Sequence, residues 1–209
     1  MPDLLYLNLW LENFGEQNML THWQRAIEAF PPSAQAPGVR ALAIYPLDWN
    51  QTPILEDHFP DGLNAAEACQ MAREFLHEDC AYEVRMNWDL WLPKSEDPSD
   101  GWERKTQEVS ILCMGSQFCQ GGASEESEDS GHMEVNFGPE ENFLPPELWD
   151  LDPEERAEAM ASPEMQDNIA KLITYARMLE QHLPVERRLL WSESGDDLPE
   201  QILSIWRMD

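Results

Sequence analysis

The sequence predicts an α+β fold: a single mixed, mostly antiparallel sheet with helices packed on one face. Three observations carry that expectation. Apolar side chains alternate with polar ones along residues 82–92 and 131–138, as half-buried strands require. Apolar stripes of helical spacing run through residues 16–30, 64–79 and 162–182. Strand and helix signals alternate in the first half, whereas consecutive strands follow in the second and should form an antiparallel meander. The order read is β-α-β-α-β-β-β-α-α, and a ferredoxin-like core with additions is its nearest analogy. One α+β domain is expected over residues 1–209, with a flexible acidic loop at about 119–130 and a helical part from about 152.

Residues 4–11 (LLYLNLWL) are apolar on both alternating faces, as in an interior strand. The Asn13-Phe14-Gly15-Glu16 turn opens a helix whose stripe is Met19, Leu20, Trp23, Ile27 and Phe30, and Pro31-Pro32 stops it. Residues 39–45 (VRALAIY) form the second strand. The segment 47–62, with Pro53 and Pro60, reads as irregular. Asn64-Ala65-Ala66-Glu67 has the spacing of a capping box and starts a helix expected to reach about residue 79.

Strands follow at 82–92, at about 107–114 and at 131–138. Asp152-Pro153 and Ser162-Pro163 each place proline at the first position of a helix. The second of these helices should run to about 182. Residues 188–191 (RLLW) suit a short strand, and Asp197-Leu198-Pro199-Glu200 starts a last helix.

Charge bounds the partners. The chain carries 41 Asp plus Glu against 13 Lys plus Arg, a net −28. Such a chain repels nucleic acid and anionic membranes, so a basic protein is the expected partner. Its 42% apolar content, with nine Trp, is enough for a core. The opening MPDLLYLNLWLENF lacks the basic start and cleavage site of a secretory signal, so a cytoplasmic location is expected. The cysteines, at 69, 80, 113 and 119, form no zinc spacing and read as buried thiols.

Phosphate-binding, dinucleotide, nucleophile-elbow and HExxH signatures do not occur. No cofactor or metal is therefore assigned. The run Glu125, Glu126, Glu128, Asp129 lacks the alternating register of a calcium loop and reads as solvated chain. It belongs to a wider acidic stretch, residues 123–167, with fifteen acids and one base, Arg156. The expected partner-binding residues are Glu125, Glu126, Glu128, Asp129, Glu140, Glu141, Trp149 and Asp150. The rival expectation is catalysis or metal binding on the outward sheet face by Glu83, Asp89, His132 and Glu134. Its bland counterpart is a wet sheet face with cross-strand charge pairs such as Arg85 with Glu134. His77, in the last turn of its predicted helix, should face water.

Overall fold

In the computed structural model, residues 2–95, 101–118, 131–143, 162–195 and Ile202 are described. Seven strands form one sheet: β1 (Leu4–Leu11), β2 (Val39–Pro46), β3 (Leu55–Leu63), β4 (Cys80–Pro93), β5 (Trp102–Met114), β6 (Met133–Pro139) and β7 (Val185–Ser192). Their order is β3-β2-β4-β5-β6-β1-β7. Among the described residues three α-helices accompany them, α1 (Met19–Ala29), α2 (Ala65–Arg73) and α3 (Pro163–His182), with a 3-10 turn at Glu140–Asn142.

Every pairing is antiparallel, so the expected mixed sheet is corrected to an antiparallel one. The ferredoxin-like detail is not confirmed: the sheet has seven strands, and β1 lies between β6 and β7, away from the strands of the first half. Chain order could not reveal this, because the first strand meets its partners more than a hundred residues later.

The helices cover one face. Leu5, Leu7, Leu9 and Leu11 of β1 are buried on it, as are Tyr82, Val84, Met86, Trp88 and Leu90 of β4. Trp88 stands among the rings of Phe30, Phe137 and Phe143, and Tyr175 of α3 meets Phe30 and Phe137 edge-on. Buried polar tips find partners: the Trp23 indole donates to the Ile111 carbonyl and the Tyr175 hydroxyl to that of Ala26. Cys69, Cys80 and Cys113 are buried free thiols. Burial pushes Cys69 up to about 12 and Cys80 up to about 11, far from reactive thiolates. No described helix is long and apolar enough to cross a membrane.

Several expected elements differ in extent: α1 starts at Met19 and not at about 16, β5 starts at Trp102 and not at about 107, and β7 spans Val185–Ser192 and not 188–191 alone. The segment taken as irregular contains β3, an edge strand (LEDHFPDGL) bonded to β2 alone. Its acids and Pro60 obscure it in the sequence, yet they suit an edge that must not pair further. The helix at 64–79 forms its capping box at Asn64 and Glu67 but ends at Arg73. The Tyr82 hydroxyl accepts the His77 N–H and donates to the Phe75 carbonyl, holding that stretch as a turn.

β4 runs past the end of β2, whose pairing with it stops at Val39 and Met86. The exposed edge is sealed by side chains and loops. Ser33 N–H donates to the Asn87 carbonyl. Asn168 of α3, fully buried, accepts the Trp91 N–H at 2.8 Å and donates to the Trp91 and Asn142 carbonyls. One amide thereby takes the place of a neighbouring strand.

Candidate functional site

The face turned away from the helices is crossed by rows of side chains fixed by the register. Glu83, Leu112, Glu134 and Asn8 form one row, and Arg85, Ser110, Asn136 and Tyr6 the next. An open groove of about 410 Å³ lies on this face and includes Glu83, Arg85, Glu108, Ser110 and Asn136 in its walls. Arg85 bonds Glu83 at 3.3 Å, and the Glu83 carboxylate also accepts from the Tyr45 hydroxyl. Arg85 therefore pairs along its own strand, with Glu83, and not across the sheet with Glu134.

The four residues expected to act together are not gathered. Glu83 and Asp89 stand six residues apart on one strand, roughly 20 Å. Asp89 accepts from the Ser33 hydroxyl at 2.6 Å, the Ala34 N–H and the Thr106 hydroxyl. Burial works to raise its pKa, but those bonds and the nearby Lys171 outweigh it and hold the carboxylate below its ordinary range. His132 Nδ1 accepts the Leu11 N–H at 2.9 Å, and its ring stacks on Phe14. Burial lowers its pKa, and the neutral ring then carries its proton on Nε2. No group of three His, Cys, Asp or Glu among the described residues could hold a metal ion.

Glu134 is the unusual carboxyl of this face. Burial raises its pKa to about 7. A carboxyl raised in the folded state keeps its proton there over a range in which the unfolded chain has lost it. Stability from this source is complete below the unfolded value near 4.5 and is lost as pH rises through 7. Glu134→Gln should therefore gain on the parent protein as pH rises from 5 to 8, by on the order of 2 kcal/mol. Urea unfolding of both proteins at the two pH values checks this, and parallel pH slopes would contradict it.

Of the expected partner-binding residues, Glu125, Glu126, Glu128, Asp129, Trp149 and Asp150 lie outside the described residues. Glu140 accepts from the Ser192 and Ser194 hydroxyls, which tie it to the end of β7. Glu141 beside it is exposed. His77 is exposed as expected and bonds Asp79 at 2.7 Å.

A feature that the sequence reading passed over lies between β2 and β3. The large apolar side chains exposed among the described residues are Leu47, Trp49 and Ile54, all in this one connection. Leu47 has φ +65°, a left-handed conformation that strains a branched side chain, and its N–H donates to the Asp79 carbonyl. Trp49 packs edge-on to Tyr45 and Phe118, forming a small cluster apart from the main core. Behind it, Gly115 permits the turn to press on residue 78, since a Cβ there would meet the Glu78 carbonyl oxygen at 2.2 Å. The only available signal was weak: apolar residues inside a segment with proline punctuation.

No known protein family, curated protein or solved structure matches this chain.

Proposed function

We propose that the chain is a cytoplasmic binding module that engages a basic protein surface, in the manner of an inhibitor, an immunity-type protein or a charge mimic. The observation that carries this is the imbalance of 41 acids to 13 bases. Most carboxylates can have no cation within the chain, so a basic partner would relieve their mutual repulsion and be steered by their field. Glu125, Glu126, Glu128, Asp129, Glu140, Glu141, Trp149 and Asp150 are the acidic and aromatic contacts proposed for it. The same charge disfavours nucleic acid and anionic membranes.

The test is capture from native cytosol on the immobilised chain at low salt, followed by a salt gradient and mass spectrometry. One basic protein should leave at a defined salt step and rebind after purification. Affinity should fall about tenfold or more over a several-fold rise in salt, because the Debye length shrinks below ~10 Å. A folded bait that retains no stoichiometric partner would refute the reading.

A second reading draws on Glu134 alone. A carboxyl with a pKa near 7 suits proton transfer, and it shares a row with Glu83 beside the groove. General acid–base catalysis by Glu134, with Glu83 in the same row, would follow from that reading, without Asp89 and His132. It requires turnover that Glu134→Gln abolishes.

A further inference from the structure

We infer that the β2–β3 connection is the docking surface, and that its occupant is a basic segment of a partner protein carrying apolar anchors. The inference rests on the proposed binding function and adds an apolar anchoring surface to the acidic contacts proposed for it. Three properties coincide there. The exposed apolar side chains Leu47, Trp49 and Ile54 supply desolvation and an aromatic anchor. The connection is held rather than loose: Leu47 bonds Asp79, Asn50 N–H bonds the Asp48 carboxylate, and Gln51 N–H bonds the Asp48 carbonyl. Leu47 keeps a left-handed backbone with its side chain exposed, where asparagine or glycine would cost less.

Charge selects the occupant. Asp48, Glu56, Glu78 and Asp79 lie beside the apolar residues, and no lysine or arginine among the described residues forms an ion pair with any of them. Glu56 and Glu83 both act on the neighbouring Tyr45 hydroxyl, whose pKa is raised by burial and then by those carboxylates. A lysine or arginine approaching Trp49 would meet an aromatic face and a carboxylate together. A second copy of the chain, also at −28, would meet repulsion instead.

The experiment uses the full chain, labelled with nitrogen-15, and three synthetic peptides. One is an amphipathic lysine–leucine peptide, one a lysine–glycine peptide of equal charge, and one a glutamate–leucine control. The lysine–leucine peptide should shift the Trp49 indole signal, assigned by its loss in Trp49→Phe, and the amides of residues 47–54. A Leu47→Asn, Ile54→Asn double variant should bind it about tenfold more weakly. Asparagine tolerates the left-handed conformation, so circular dichroism and unfolding of the variant should match the parent. Equal binding of the lysine–glycine peptide would overturn the apolar part. Tight binding with shifts confined to other residues would overturn this surface while leaving the broader function standing. Concentration-dependent self-association through these residues without peptide would overturn the choice of occupant.

Discussion

Trp88→Ala should destabilise the protein by about 3–5 kcal/mol, a large share of the ~5–15 kcal/mol typical of a domain. Trp88 is fully buried on β4, at the point where α1, β6 and the 3-10 turn converge through Phe30, Phe137 and Phe143. Truncation leaves a cavity whose walls belong to three separate elements on a rigid sheet, so collapse into it is limited. Trp88→Phe should cost far less. Among the described residues the indole N–H has no hydrogen-bond partner, so phenylalanine gives up volume but also removes an unsatisfied donor. Urea unfolding of the two variants separates these effects. Equal losses for Phe and Ala would show that the indole N–H, and not the packing, matters at this position.

Asn168→Ala should cost a similar amount, about 3–5 kcal/mol, although it deletes no apolar surface. The alanine leaves the Trp91 N–H, the Trp91 carbonyl and the Asn142 carbonyl without their bonds in the interior, each worth about 1–3 kcal/mol when stranded. Asn168→Asp keeps the shape but loses both donated bonds and brings a charge inside. It should be at least as damaging at neutral pH and should recover partly in acid, where a protonated carboxyl can donate one bond. Hydrogen exchange at the Trp91 amide should accelerate in both variants. A loss below about 1 kcal/mol for the alanine variant would mean that water replaces the amide at this edge.

The residues involved show how legibility varied along the chain. Trp88 sits in a strand whose alternation is unambiguous, and the structure buries each alternate residue from Tyr82 to Leu90. The capping box at Asn64 and Glu67 is likewise a local pattern and forms as expected. Asn168, by contrast, lies on α3 and gives no local sign that it will complete the edge of β4, 77 residues earlier. The same limit applied to Asp89 and His132. Their residue types suggested chemistry, but Ser33, Ala34, Thr106 and the Leu11 N–H engage them through contacts distant in sequence. β3 was hidden for another reason: an edge strand bonded on one side has little need for apolar alternation.

By itself the sequence determined the α+β class, the strands with clear alternation, the caps of α2 and α3 and the one-sided charge. These follow from interactions within a few residues or from simple totals. Only the tertiary structure decided that all seven strands pair antiparallel, that β1 lies between β6 and β7, and that Leu47, Trp49 and Ile54 stay outside. Those outcomes depend on which distant surfaces meet, because a side chain is buried or exposed by what packs over it. For Leu47, a backbone held by the Asp79 carbonyl turns an apolar residue toward solvent, against its own preference.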